Sequence, residues 1–144
     1  MGRNLQENPF YGVLKEYEHW VVLFREKQVT IGSVIIMSKE LEKQSLGAVS
    51  AEAWAEFPIV SADVERWLTN AFGAEKFNYL ALMMYDPEVH FHVIPRYSKS
   101  VVFEEQEFID PDWPEATKRI GLQLDKTMLS AIEQRLREEV SKDA

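Results

Sequence analysis

The stretch Val89-His90-Phe91-His92-Val93-Ile94-Pro95-Arg96 constrains this chain more than any other. It alternates with period two and is rich in Val, Ile and Phe, which predicts a β-strand. On a strand, residues i and i+2 share a face, roughly 6.5–7 Å apart. His90 and His92, two of only three histidines, therefore stand side by side, with Val89, Phe91 and Val93 turned to the other face. Pro95 has no N–H for a sheet ladder and ends the pairing. Two imidazoles on one rigid strand supply a nucleophile and a proton donor, or two metal ligands.

The rest of the chain frames that strand. Trp20 to Phe24 and Gly32 to Met37 read as an antiparallel pair joined by the loop Glu26 to Thr30. Ser50 is a good N-cap, with Glu52 in the first turn, and Phe57, Val60, Val64, Trp67, Leu68, Ala71 and Phe72 recur at helical spacing up to Gly73. Pro58 lies inside this pattern and marks either a kink or the true start of the helix. Asn78 to Tyr85 reads as a third strand, Asp86-Pro87 as a turn, and Asn78 to Arg96 as a tight hairpin. Val101-Val102-Phe103 and the segment around Phe108-Ile109 read as an exposed excursion, ending in Asp110-Pro111-Asp112-Trp113-Pro114. Glu104 to Glu107 reads as a solvated acidic loop. Asp125 caps a final helix from about 126 to 140, with Met128, Leu129, Ile132, Leu136 and Val140 in one stripe.

Length and composition narrow the classes. At 144 residues, one domain spanning 1–144 is expected, with enough chain to bury a core. The 46% hydrophobic and 28% charged content is that of a folded globular protein. No run approaches the ~20 apolar residues of a membrane span, and Met1 to Asn8 lacks a signal-peptide core, so a cytoplasmic address is expected. The absence of Cys excludes disulfides, thiol catalysis and Cys-ligated zinc. A net charge of −8 argues against a nucleic-acid surface. It leaves room for a small anion, because Arg25, Lys27, Lys39, Arg96 and Lys99 concentrate near the histidines and in the N-terminal half.

At this point the chain resembles the histidine triad family of nucleotide hydrolases and transferases, which carry His-φ-His-φ-His-φ-φ (φ apolar) on the second strand of a hairpin. The matching residues are Glu88-Val89-His90-Phe91-His92-Val93-Ile94, followed by Pro95-Arg96. The order of elements agrees from about Tyr17 to Pro114, and Asp110-x-x-Trp113-Pro114 looks like the tail of a bacterial subgroup. Glu88 replaces the first histidine of the triad. Ser33 stands where the family has a histidine after the glycine of the second strand, and Arg25-Glu26-Lys27 where many members have an Asn. Tyr85-Asp86-Pro87 offers no substitute for the Gln or Ser of longer loops.

The resemblance implies an α+β fold, a histidine-triad-like antiparallel sheet of about five strands with flanking helices. It implies a homodimer, with the Phe57 to Phe72 helix and the final helix as contact candidates. It also implies hydrolysis or transfer at the α-phosphate of a nucleotide conjugate, such as a dinucleoside polyphosphate or a nucleoside phosphoramidate. His90 would be the nucleophile and His92 the donor to the scissile oxygen, with Ser33, Glu88 and Arg96 as substrate contacts and no cofactor. Imidazole suits this chemistry, being neutral and nucleophilic near its reference pKa of ~6.5. A carboxylate at Glu88 would favour the imidazolium of His90, or else orient its ring. Two other readings stand beside this one: a nucleotide-binding protein without turnover, and a metal site of His90, His92 and Glu88.

Overall fold

The computed structural model describes residues 11–143. The reading of Met1 to Asn8 therefore lies outside the described residues. Five strands, β1 (Tyr11–Glu16), β2 (Trp20–Arg25), β3 (Val34–Ser38), β4 (Lys76–Leu80) and β5 (His90–Arg96), form one sheet in the order β1-β2-β3-β5-β4. Every pairing is antiparallel. The histidine strand β5 is thus enclosed on both edges. His90 pairs with Met37 and His92 with Ile35 on β3, while Leu80 of β4 faces His92 from the other side.

The two sheet faces bury different residues because successive side chains alternate. On one face, Trp20, Val22, Phe24, Val34, Ile36 and Val93 join the core beneath helix α1 (Ala51–Phe72). Phe91 packs there as well, its ring centroid 4.9 Å from Phe57 and 6.3 Å from Trp20. The opposite face holds a smaller buried set, Val21, Leu23, Ile35 and Met37. Residues directly opposite in an antiparallel pair share a face, so His90 and His92 continue this second set through Met37 and Ile35.

Helix α1 starts at Ser50, whose side chain accepts from the Ala53 amide, and ends at Gly73 in the left-handed conformation at φ 73°. Pro58 lies within the helix and not at its start. The buried residues of α1 are Ala53, Val60, Val64, Trp67, Leu68 and Phe72, so its apolar stripe is covered by the chain's own core. Helix α2 (Lys126–Ser141) is capped by Asp125, which accepts from the Met128 amide. It buries Ile132, Leu136 and Glu139 and packs against α1 and β1.

Four features differ from what the sequence predicts. Pro95 does not end the pairing of β5: it stands opposite Phe77, and Arg96 beyond it pairs with Lys76 on β4. Strand β4 ends at Leu80, and 81–89 form a nine-residue loop where a tight hairpin was expected. Met83 sits at φ 47°, a left-handed conformation that an extended strand cannot contain, so apolar content alone misled. Strand β1 has no clear signal because its register shifts between Val13 and Lys15, which breaks the period-two pattern. The expected exposed excursion is a small antiparallel hairpin, β6 (Val101–Phe103) with β7 (Gln106–Phe108). Glu104 and Glu105 turn it at φ 50° and 63°, the two left-handed positions of a type I′ turn.

Candidate functional site

The site grows from the start of β5. His90 is only 4% exposed, and its Nδ1 lies 2.7 Å from the main-chain oxygen of Glu88. A carbonyl only accepts, so Nδ1 carries the proton and the lone pair of the neutral ring is at Nε2. The buried side chain of Glu88 leaves Oε2 without a hydrogen-bond partner among the described residues. Glu88 thus orients His90 through its backbone, a service that does not depend on its side chain.

His92 follows on the same face, its ring centroid 5.1 Å from that of His90 and its plane at 78°. Arg25, at the end of β2 and two strands away in the sheet, places Nη1 3.1 Å from His92 Nδ1. Burial first, and then the charges of Arg25, His90 and Arg119, push the His92 pKa down to about 3, against an opposing pull from Asp86. His92 is therefore a neutral imidazole at physiological pH. It offers a hydrogen bond, but it does not hold the extra proton that the sequence reading gave it to pass on.

Both histidines open into a cavity of about 540 Å³ lined also by Arg25, Lys27 and Arg119 and by Leu82, Met84, Tyr85 and Asp86 of the 81–89 loop. Three cations against one carboxylate make this pocket positive in a chain of net charge −8. Leu82 and Arg119 also border a larger cavity of about 880 Å³ along the β4 edge, which Ile94 and Arg96 help to line. Residues 90, 92, 94 and 96 alternate onto one strand face, so that face runs from the first cavity into the second.

The remaining expected site residues are occupied elsewhere. Ser33 is 1% exposed; its Oγ donates to the Thr30 carbonyl and accepts from the Val29 and Thr30 amides. It closes the β2–β3 loop and does not line the histidine cavity. Arg96 uses four of its five N–H groups on protein acceptors: both oxygens of Asp110, Asn78 Oδ1 and the Glu115 carbonyl. It clamps the 110–115 segment and has little left for a phosphate. His90, His92 and Glu88 do not converge on one point; among the described residues no three His, Asp or Glu side chains gather closely enough to hold a metal ion.

Two contributors escaped the sequence. Gln28 is fully buried and ties the β2–β3 loop together, donating to the Arg25 and Ser33 carbonyls and accepting from the Gly32 and Ser33 amides. It thereby fixes the main chain that carries Arg25. Arg119 arrives from the irregular segment before α2, at φ 60°. A glutamine in a turn and an arginine in a loop carry no motif.

Sheet order, histidine strand and flanking helices together are the histidine triad fold. No family model matches the chain, and no curated protein matches it. Solved structures do. A histidine triad protein from Marinobacter aquaeolei VT8 superposes with a TM-score of 0.72 at 20% identity, over 94% of this chain and 92% of that one. A histidine triad protein from Sinorhizobium meliloti 1021 gives 0.70 at 17% identity, over 90% of each chain. A hypothetical histidine triad nucleotide-binding protein from Sulfolobus tokodaii strain7 gives 0.68 at 18% identity, over 92% of this chain and 85% of that one. This chain is similar to all three in fold.

Proposed function

We propose that this chain binds a nucleotide conjugate with its α-phosphate against His90 and His92 and transfers the nucleotidyl group through His90. The observation that carries this reading is the hydrogen bond from His90 Nδ1 to the Glu88 carbonyl, which leaves a lone pair on Nε2 in a positively charged pocket. Nε2 attacks phosphorus, the bond to the leaving group breaks, and a covalent nucleotidyl-histidine forms. Water or another acceptor then displaces the nucleotide, so one hard displacement becomes two easier ones. His92 hydrogen-bonds an oxygen of the reacting phosphate, where charge builds up. Among the described residues β1 and β4 are the two edge strands of the sheet, and a second copy would pair along one of them in a homodimer.

A second reading, nucleotide binding without turnover, is favoured by Ser33, whose hydroxyl is committed to the β2–β3 loop. Calorimetric titration with AMP and GMP, beside turnover of a dinucleoside polyphosphate and a nucleoside phosphoramidate, separates the two. Saturable binding with turnover that His90→Ala abolishes, affinity being kept, supports the transferase or hydrolase. Binding without turnover supports the second reading. Unchanged turnover in His90→Ala eliminates the nucleophile.

A further inference from the structure

We propose that Arg25 is a positioning residue that holds His92 as the neutral Nε2–H tautomer, and that the site in consequence favours phosphoanhydride over phosphoramidate conjugates. The second clause deepens the function proposed above and rests on it.

The tautomer follows from donor chemistry. A guanidinium has five N–H groups, no acceptor, and does not lose its proton in proteins. Its Nη1 meets His92 Nδ1 at 3.1 Å, so Nδ1 must be the acceptor and the ring proton must be on Nε2. A second proton on Nδ1 would set N–H against N–H and cation against cation. The charged and titratable groups that share the cavity with His92 are Arg25 and Lys27 from β2 and the loop after it, His90 from β5, Tyr85 and Asp86 from the 81–89 loop, and Arg119 from the segment before α2. Asp86 favours the imidazolium, against burial and the charges of Arg25, His90 and Arg119.

A neutral imidazole hydrogen-bonds a leaving atom but does not deliver a full proton to it. That distinction separates the two substrate classes. When His90 Nε2 attacks a phosphoramidate, the N–P bond to His90 forms and the substrate P–N bond breaks. The departing nitrogen takes the electron pair and needs a proton, which His92 is not charged to give. When the substrate is a phosphoanhydride, the P–O bond breaks and the pair goes to a phosphate oxygen. With a second phosphate pKa of about 6, that oxygen leaves as a stable anion without protonation.

The pocket suits such an anion. Arg25, Lys27 and Arg119 all line it, and none of the three forms an ion pair among the described residues. Arg25 Nε is also buried without a hydrogen-bond partner among the described residues. Cations left open around a reacting phosphate stabilise charge that builds up on departing oxygens.

The test uses the full chain with ¹⁵N-labelled histidine. Long-range ¹H–¹⁵N correlation spectra should show His92 protonated at Nε2 and uncharged from pH 5 to 8. In Arg25→Met the ring should become a tautomer mixture and its pKa should rise from the wild-type position, while burial, the larger cause, still holds it below that of an ordinary histidine. Lys27→Met, which removes a cation from the same wall without touching Nδ1, should leave the tautomer as it is. A His92 Nδ1–H tautomer in the wild type, or an unchanged ring in a folded Arg25→Met, overturns the positioning role.

In the second arm, the ratio of kcat/KM for a dinucleoside triphosphate to that for a nucleoside phosphoramidate should exceed one in the wild type. It should fall about 10-fold or more in Arg25→Met, less than the ~10²–10⁴-fold of a fully positioned proton donor, because burial still disfavours the His92 imidazolium. The phosphoramidate rate of the variant should rise as pH falls. A wild type that prefers the phosphoramidate, or an unchanged ratio in Arg25→Met, overturns the selectivity. Absence of turnover on both classes overturns the catalytic reading and the selectivity with it, while the spectra still decide what Arg25 does.

Discussion

His92 should make this protein less stable in mild acid, and by an amount the site sets. Its pKa is depressed from 6.5 to about 3 in the folded chain. Between those values the unfolded chain takes up a proton that the folded chain refuses, so stability is complete above pH 6.5 and falls as pH drops towards 3. Between pH 6.5 and 5 the full effect is about 2 kcal/mol, at about 1.4 kcal/mol per unit. His92 is only partly buried, and solvent screening reduces this to roughly 1 kcal/mol. Urea unfolding at pH 7 and pH 5, in the wild type and in His92→Gln, isolates it. Glu40, Asp63, Glu75 and Glu139 are also depressed, but they act below the usual carboxylate range and are common to both proteins. The wild type should lose roughly 1 kcal/mol more than His92→Gln across this interval. Equal losses would refute the claim that His92 is held neutral.

Other substitutions test the supporting structure. Asp110→Asn leaves Arg96 buried without a counter-charge and should cost about 3–5 kcal/mol by chemical denaturation, with Arg96→Met plus Asp110→Leu recovering much of it. Ser33→Ala strips the Val29 and Thr30 amides of a buried acceptor and should cost about 1–3 kcal/mol. Its nucleotide affinity, measured by titration calorimetry, should be unchanged if the hydroxyl serves only the loop. Gly32→Ala places a Cβ 2.8 Å from Leu68 Cδ2 at φ +96°; a lower melting temperature and a loss of about 1–3 kcal/mol are expected. Glu88→Gln should keep the His90 orientation and its turnover, because the bond to Nδ1 comes from the main chain.

What could be read from the sequence was local and periodic. The alternation around His90 and His92 placed them on one face of an enclosed strand, and Ser50, Gly73 and Asp125 marked three helix ends because capping is chemistry within a few residues. The apolar run Ala81 to Tyr85 predicts a longer β4 than the five residues that pair, and the left-handed Met83 marks where the chain turns away. The assignments of Ser33 and Arg96 as substrate contacts depended on which partners the fold brings to them. Arg96 is satisfied by Asp110 and Glu115, at sequence separations of 14 and 19. The contact from Arg25 to His92 spans 67 residues and depends on sheet order, which no local pattern encodes. In the sequence Arg25 stands out only as one of several basic residues and as part of the Arg25-Glu26-Lys27 that takes the place of an Asn in the family.

The central claim is that His90 Nε2 becomes covalently bonded to phosphorus. Intact-protein mass spectrometry tests it, on the chain mixed with a dinucleoside polyphosphate and quenched by denaturation at alkaline pH, where a phosphorus–nitrogen bond to histidine survives. The expected result is a mass increase of one nucleotidyl group, located on His90 by peptide mapping and absent in His90→Ala. Turnover with no adduct on His90, or an adduct that persists in His90→Ala, would contradict it.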